Sequence, residues 1–262
     1  VITPHESLTD YDIDVASRSR RKRLVKLALR QLYLRTADRL IFMSELEEKD
    51  TRSGAVPYEL ISHAVQEEIA IVEPRTEDLT PGVLRIGFLG RNIPKKGIDL
   101  IIRAIGRNPE RHWELAIAGP PGTDEFRDEM ARLVRELEVG DRIRWVGFLP
   151  ERSDLFRACD VLAMPSAYEG FGMVAAEALC NGVPVIVPNR TGVAEIVKEF
   201  EAGIVIPEAG VEELENALEV MEDDSTARSR FSENGLRAAN SRLSYAAFAA
   251  ATSKLYKSLI SG

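Results

Sequence analysis

The sequence predicts an α/β protein built on a parallel β-sheet with helices on both faces. From about residue 82 onward, short apolar runs alternate with amphipathic stretches, which is typical of repeated βαβ units. The runs are almost continuously apolar, as expected of strands that are covered on both faces. Polar or glycine-containing segments follow the runs, and in open α/β sheets ligands bind beyond these carboxyl ends.

Six segments are predicted to be strands, and most of them are separated by a predicted helix. The predicted strands are 83–90, 113–119, 142–147, 160–165, 183–188 and 202–207. The helical stretches between them are KGIDLIIRAIG, DEFRDEMARLVRELE and FGMVAAEALC, and the chain from Val211 to its end is predicted to be helical throughout.

Residues 1–75 differ in character, because they combine a basic helical segment with weak strand signals in VITP, RLIFMS and YELISH. We assign them to a partial first domain. The polar segment 73–82 contains two prolines and predicts a linker. We expect residues 76–240 to form the second domain. Residues 241–262 are expected to form a C-terminal helix that could cross back to the first domain. Since VITPH resembles a strand end and the chain does not begin with Met, we expect a fragment whose start lies upstream.

The composition is that of a soluble globular protein. A formal net charge of −8 over 262 residues argues against nucleic acid as the main partner. No apolar run reaches the length of a membrane span. Cys159 and Cys180 form no CxxC motif and lie in apolar surroundings, which predicts buried thiols and a cytoplasmic location.

The segment after the first predicted strand, GRNIPKKG, combines glycines with cations. Gly90 and Gly97 let backbone amides approach an anion, and Arg91 and Lys96 offset its charge, so a diphosphate is the natural ligand. Taken alone, the cluster is better interpreted as a solvated surface. The polar segments after the other strands favour a ligand site.

The stretch YEGFGMVAAE carries two carboxylates eight positions apart. Gly170 and Gly172 allow unusual backbone dihedrals, and amides at a helix start can donate to a phosphate or a sugar hydroxyl. Glu169 is expected in a loop that faces the crevice. Glu177 lies in an apolar helix, where a carboxylate needs a partner. A ribose diol could supply the donors, and a nearby arginine or a capping amide is the structural alternative.

This Glu-x7-Glu segment resembles the motif of the retaining GT-B glycosyltransferases of family 4, the glycosyl transferases group 1. Four more segments resemble that family in the same order: FLGRNIPKKGIDLIIRAI, LAIAGPPG, VGFLPERSDLFRACDVLAMPSAYEGFG and AEALCNGVPVIVPNRTGVAEIV. The resemblance implies a GT-B type Rossmann-like donor domain, preceded by the end of a second Rossmann-like domain that binds the acceptor. The chain departs from the family pattern at Thr191–Glu195, and at His63–Ala64 where the family has Asn-Gly.

The resemblance also implies roles for individual residues. Arg91 and Lys96 would contact the donor diphosphate, and Glu169 would lie near the hydroxyls of the donor sugar. His5 would help to hold that sugar near the point of transfer. The implied donor contacts are Gly90, Gly119, Gly147, Phe148, Leu149, Gly170, Phe171, Gly172, Met173 and Glu177; among them, 147–149 would cradle the base and Glu177 would bind the ribose. No metal or other cofactor is expected, and the donor substrate would be a UDP- or GDP-sugar.

The implied function is sugar transfer from a nucleotide donor to a glycan or lipid-linked acceptor with retention of configuration, in cell-surface polysaccharide or glycolipid synthesis. Two alternatives stay open: a non-catalytic nucleotide-sugar-binding half that needs a partner chain, and a sugar-nucleotide epimerase of the same fold. A nicotinamide dehydrogenase is disfavoured, because no G-x-G-x-x-G follows a strand.

Two charged segments remain. Asp10, Asp12 and Asp14 are interpreted as an acidic surface loop, since Val15 and Arg21 occupy positions where a calcium loop needs Gly and Glu. The basic, amphipathic segment 17–35 could contact an anionic membrane at the inner face through Arg18–Lys26, or pack on the first domain with a solvated basic end. The sequence leaves both interpretations open.

Overall fold

A computed structural model describes residues 1–17, 19–65 and 82–261. The strands are β1 (Leu40–Phe42), β2 (Tyr58–Leu60), β3 (Leu84–Leu89), β4 (Trp113–Ala118), β5 (Ile143–Gly147), β6 (Val161–Ala163), β7 (Val185–Pro188) and β8 (Gly203–Ile206). The helices are α1 (Arg20–Thr36), α2 (Glu45–Thr51), α3 (Ile98–Arg107), α4 (Asp124–Glu136), α5 (Ser153–Ala158), α6 (Met173–Cys180), α7 (Ala194–Phe200), α8 (Val211–Asp223), α9 (Ser225–Asn240) and α10 (Tyr245–Ile260). Of the predicted linker at 73–82, all but Gly82 lies outside the described residues.

The main sheet has six parallel strands in the order β5-β4-β3-β6-β7-β8. The strand order therefore reverses between β3 and β6. In open α/β sheets a crevice forms at this switch point, beyond the carboxyl ends of the strands. The loops that follow β3 and β6 lie side by side there, and the backbone amide of Ala167 donates to the carbonyl oxygen of Lys95 over 2.9 Å. The predicted parallel α/β architecture is confirmed.

Both faces of this sheet are covered by helices. In α3, Ile98, Ile101, Ile102 and Ile105 follow the i, i+3, i+4, i+7 spacing of a helix face, and all four are buried against one side of the sheet. On the other side, the small residues of α6, such as Ala175, pack in a second apolar cluster with strands β6 and β7. The predicted helices on two faces are therefore present.

The first part of the chain contributes a two-stranded parallel sheet, β1 and β2. The segment VITP, which carries a weak strand signal in the sequence, forms an isolated β-bridge between Ile2 and Leu40. The C-terminal helix α10 rests on this sheet, because its Leu255 forms a buried cluster with Ile41 and Ile61.

The C-terminal region is helical from Val211 to Ile260 apart from two short breaks, as predicted, but it is divided into three helices. It contains α8, α9 and α10, because two side chains start new helices. Asp224 accepts a hydrogen bond from the amide of Ala227, and Ser244 accepts one from the amide of Ala247. Such N-caps satisfy amides that lack an intrahelical partner, and so fix where a helix begins.

The contact between α10 and the small sheet yields a test of stability. Leu255→Ala removes a buried side chain, and we expect it to lower the free energy of unfolding by about 2 kcal/mol or more. Leu259→Ala is the matched control, since Leu259 lies on the exposed side of the same helix. Urea denaturation of both variants measures the difference, and equal losses would contradict the packing described for α10.

Candidate active site at the carboxyl edge of the sheet

A cavity of about 240 Å³ lies beyond the carboxyl ends of β3 and β6, between the two parts of the chain. It is lined by His5, Glu6, Met43, Glu47, His63, Lys96, Met164, Glu169, Gly170, Phe171, Gly172, Met173 and Val174. We call it the central cleft. Seven of the residues that the sequence analysis assigned to the site line it, namely His5, Lys96 and Glu169–Met173.

An ion pair joins the two loops that meet at the switch point. The ammonium group of Lys96 donates to Oε1 of Glu169, and the two side chains are only 17% and 11% exposed. The loop of Lys96 ends at Gly97, which has φ 69°, and a Cβ at this position would collide with the carbonyl oxygen of Pro165. Glycine is therefore required for the close approach of the loops. The predicted cation and the predicted acid meet in the central cleft.

Glu6 is a site residue that the sequence analysis missed. Its Oε1 accepts a hydrogen bond from the amide of Gly170, and its Oε2 lies 3.3 Å from Nζ of Lys95. The glycine-rich loop thus binds a carboxylate through a backbone amide and a neighbouring cation, which are groups that also suit a phosphate. No local pattern indicates this contact, because it joins residues 164 positions apart.

Glu47 supports the turn that carries His5 and Glu6. Both of these residues have positive φ, 49° and 68°, which is uncommon for side chains other than glycine. The buried carboxylate of Glu47 accepts the amide hydrogens of Glu6, over 2.7 Å, and Met43, over 3.0 Å. Burial raises the pKa of Glu47, and the two backbone hydrogen bonds oppose that shift. Glu47 therefore fixes the turn that brings His5 into the central cleft.

A second histidine lies beside His5. The rings of His5 and His63 stack with centroids 5.5 Å apart, and His63 meets Phe171 edge to face at 5.7 Å. Burial, together with the nearby His5, lowers the pKa of His63 below its ordinary value of 6.5. The sequence analysis noted His63 only as a departure from a family pattern. Its place in the cleft became visible once the fold brought residues 5, 63 and 171 together.

Three predicted glycines meet at the ends of β3, β4 and β5. The amide of Gly119 donates to the carbonyl oxygen of Gly147 over 2.7 Å, and a Cβ on Gly119 would collide with the carbonyl oxygen of Gly90. Gly119 and Gly147 line a second, mainly apolar cavity of about 430 Å³ together with Trp145. Of the predicted donor contacts, Gly119 and Gly147 therefore line this second cavity and not the central cleft.

Phe148, Leu149 and Arg91 lie apart from the central cleft. Phe148 is 76% exposed, whereas Leu149 is partly buried against the apolar cluster of α6. Arg91 is exposed and forms no ion pair with a carboxylate in the described residues. Its contact with a diphosphate stays a prediction.

Glu177 is buried in α6, and Nη1 of Arg152 lies 2.6 Å from its Oε1. The arginine pair that the sequence analysis considered as an alternative is therefore present. The other oxygen, Oε2, is buried and has no hydrogen-bond partner within the described parts of the chain. Because an unpaired buried carboxylate oxygen is costly, Glu177 retains the capacity to accept from a further donor.

No three His, Cys, Asp or Glu side chains lie close enough to hold a metal ion within residues 1–17, 19–65 and 82–261. A metal-free reaction remains a prediction.

The sequence profile of the family described as glycosyl transferases group 1 matches residues 74–238, which is more than half of the chain. This chain belongs to the glycosyl transferases group 1. It is 35% identical over 182 residues to D-inositol 3-phosphate glycosyltransferase from Corynebacterium glutamicum (strain R), a match that covers 67% of this chain and 43% of that protein. The chain spans about half the length of the curated relatives it matches.

Solved structures show the same fold. Sucrose-phosphate synthase from Thermosynechococcus elongatus superposes with a TM-score of 0.85 at 26% identity, over 99% of this chain and 67% of that one. HepE from Anabaena in complex with UDP superposes with a TM-score of 0.81 at 20% identity, over 96% of this chain and 71% of that one. The predicted GT-B type architecture is confirmed.

The segment Thr191–Glu195, where the sequence departs from the family pattern, has a structural role in this chain. Oε1 of Glu195 accepts a hydrogen bond from the amide of Leu46 over 3.1 Å, which ties α7 to the first part of the chain. The amide of Gly192 donates to the carbonyl oxygen of Glu169 over 3.0 Å. Segment 191–195 therefore helps to hold the loop that carries Glu169 in place.

His63 gives the folded chain a pH dependence with a defined sign. The unfolded chain binds a proton at His63 as the pH falls through 6.5, and the folded chain binds it only at lower pH. The contribution of His63 to stability is therefore full above pH 6.5 and declines as the pH falls toward the lowered pKa.

As the pH falls from 7 to below 6.5, we expect the free energy of unfolding to decrease less in the His63→Gln variant than in the wild type, because the variant lacks the titrating ring. Urea denaturation at a series of pH values measures the slopes. His112→Gln, at an exposed histidine, should keep the wild-type slope. A wild-type slope in the His63 variant would contradict the burial described for that ring.

Proposed function

We propose that this chain binds a nucleoside-diphosphate sugar in the central cleft, and that the whole protein transfers the sugar to an acceptor with retention of anomeric configuration. One observation carries the proposal: Lys96 and the glycine-rich loop of Glu169 meet at the switch point of a parallel sheet, in a member of the glycosyl transferases group 1. The donor base is proposed to be uracil or guanine, and HepE, a neighbour in fold, was solved with UDP.

The donor diphosphate would take the place of Glu169 as the partner of Lys96. Loss of the sugar leaves a nucleoside diphosphate with growing negative charge, which a preorganised cation in a largely buried cleft stabilises well. The amides at the start of α6 add donors of the same kind. Glu169, released from Lys96, could then accept from hydroxyls of the donor sugar. The diphosphate carries more negative charge than the single carboxylate it replaces, so Lys96 and the amides at the start of α6 would share that charge without a metal ion.

Glu177 would hold the ribose of the donor. Arg152 occupies Oε1, and the buried Oε2 is an acceptor that lacks a donor in the described residues. A vicinal diol supplies two such donors. The pairing with Arg152 thus supports the ribose assignment, because it fixes the carboxylate while one oxygen stays available.

Retention is proposed to proceed by front-face return, in which the acceptor attacks from the side on which the diphosphate leaves. Two carboxylates that line the cleft are held by backbone amides: Glu6 accepts from Gly170, and Glu47 accepts two amides. Glu169, once released from Lys96, is proposed to accept from hydroxyls of the donor sugar, so none of the three is assigned as a nucleophile. His5 lies in the same cleft and is proposed to hold the sugar near the point of transfer.

The acceptor is proposed to be a glycan or lipid-linked sugar, in polysaccharide or glycolipid synthesis in the cytoplasm. A second candidate is a donor-binding half that needs a partner chain for catalysis. Release of sugar from a UDP- or GDP-sugar by the isolated chain would distinguish the two.

Binding calorimetry with UDP, GDP and ADP identifies the preferred nucleotide and then tests the site. Lys96→Met removes a charge-assisted contact worth about 1.5–3 kcal/mol, so affinity for the nucleoside diphosphate and for pyrophosphate should fall about 10- to 100-fold. Glu177→Gln should weaken binding of the nucleoside and the nucleoside diphosphate and leave pyrophosphate unchanged.

Lys49→Met is the control, because Lys49 is an exposed lysine on α2 that pairs only with Glu45 among the described residues. It should bind all three ligands as the wild type does. If Lys96→Met and Glu177→Gln weakened the same ligands equally, the separate phosphate and ribose roles would be wrong.

A further inference from the structure

We propose that the carboxylate of Glu6 is an internal competitor of the donor: it occupies an anion position on the glycine-rich loop, and a phosphate group of the donor must displace it. Oε1 of Glu6 accepts a hydrogen bond from the amide of Gly170, and Oε2 lies 3.3 Å from Nζ of Lys95. A backbone amide beside a cation is a combination that binds phosphate. The inference rests on the proposed binding of a nucleoside-diphosphate sugar in the central cleft, and it adds a regulation of that site.

The turn that carries Glu6 does not require a carboxylate at this position. Glu6 has φ 68°, a conformation that favours glycine. Glu47 holds the turn through the backbone amide of Glu6, over 2.7 Å, and any residue except proline could make that contact. The side chain of Glu6 therefore acts through what it contacts across the cleft, namely Gly170 and Lys95.

Glu6 excludes any other group from the amide of Gly170. A Cβ built on Gly170 would collide with Cγ of Glu6, so the stem of this glutamate lies directly against the backbone of the loop. Gly170 itself is buried. A phosphate oxygen can therefore reach this amide only after the side chain of Glu6 has moved away. Occupation by Glu6 and occupation by the donor exclude each other, which is the condition for competition.

Lys95 is held in place by contacts other than the one with Glu6. Its ammonium group lies 5.2 Å from the ring centre of Tyr11 and 5.7 Å from that of Tyr168, and the two rings stack on each other. Such cation–π contacts attract the ammonium group to the faces of the rings. The cation therefore stays beside the loop when Glu6 leaves, where it attracts an incoming anion.

Two internal carboxylates thus occupy neighbouring anion positions. Lys95 pairs with Glu6. The next residue, Lys96, pairs with Glu169, which directly precedes Gly170. A diphosphate carries two anionic groups and can replace both carboxylates, whereas a nucleoside brings no anion to the position that Glu6 leaves. Glu6 therefore raises the selectivity of the cleft for diphosphate ligands, and it lowers their apparent affinity because a site that is free for only part of the time binds more weakly.

Calorimetric titration of the whole chain with inorganic pyrophosphate tests the competition. Glu6→Ala removes the competitor, so pyrophosphate should bind about tenfold more tightly or better, as expected when a hydrogen bond to a charged group no longer has to be broken. Glu6→Gln keeps an acceptor for the amide of Gly170 but loses the charge opposite Lys95, and should gain less than Glu6→Ala. Alanine and glutamine meet the same positive φ as glutamate, and thermal melting verifies that both variants fold.

Glu45→Ala is the matched control, because Glu45 is an exposed carboxylate on α2 and its removal changes the net charge by the same amount. It should bind pyrophosphate as the wild type does. If the wild type binds pyrophosphate and Glu6→Ala binds it equally or more weakly, the competition is wrong and the proposed donor site stands. Equal gains by Glu6→Ala and Glu6→Gln would also overturn the competition, since they would reflect lost repulsion alone. A chain that binds neither pyrophosphate nor a nucleoside diphosphate in any of these forms would overturn both proposals.

The amide resonance of Gly170 reports directly which group occupies the position. Glu169 and Gly170 form the one Glu-Gly pair in the sequence, so 13C-labelled glutamate combined with 15N-labelled glycine isolates a single signal. Without ligand, this amide proton should resonate downfield in the wild type and move upfield in Glu6→Ala, and pyrophosphate should return it downfield in the variant. A signal that is unchanged in Glu6→Ala would show that Glu6 does not contact the loop in solution, and would overturn the proposal.

Discussion

The ion pair between Lys96 and Glu169 depends on the reversal of strand order in the sheet, and the central cleft is organised around it. Lys96 follows β3 and Glu169 follows β6, so the two meet because β3 and β6 are neighbours although they are far apart in the chain. A lone ammonium group or carboxylate would be expensive at this degree of burial, whereas the pair is neutral. A diphosphate that replaced Glu169 would keep Lys96 paired with an anion, which links the stability of the site to its proposed chemistry.

The glycine-rich loop is held by both parts of the chain. Tyr11 stacks on Tyr168 with ring centroids 4.6 Å apart, and Oγ of Ser44 donates to the carbonyl oxygen of Gly170 over 2.7 Å. Together with Glu6 on the amide of Gly170, these contacts place the first 65 residues directly against the proposed donor site. A movement of that part would therefore displace the loop. In proteins with two packed parts, such coupling allows closure to complete a binding site.

The sequence predicts well what depends on local periodicity and on position along a strand. Apolar runs predict the strands of the main sheet, and the position of Lys96 and Glu169 just after two of them predicts that both lie at its carboxyl edge. Glu6 and His63 were missed as site residues, because their contacts with Gly170 and Phe171 arise from tertiary packing that no short pattern encodes. For Glu177 the sequence offered an arginine or a ribose as partner. In the structure Arg152 pairs with Oε1 of Glu177, whereas Oε2 has no hydrogen-bond partner among the described residues. The two interpretations are therefore compatible.

A crystal structure of the chain with its preferred nucleoside diphosphate tests the central claim most directly. The account predicts that Nζ of Lys96 lies within hydrogen-bond distance of a phosphate oxygen and has separated from Glu169, while Oε2 of Glu177 accepts from the ribose hydroxyls. A nucleotide bound away from the central cleft, with the pair of Lys96 and Glu169 intact, would contradict it.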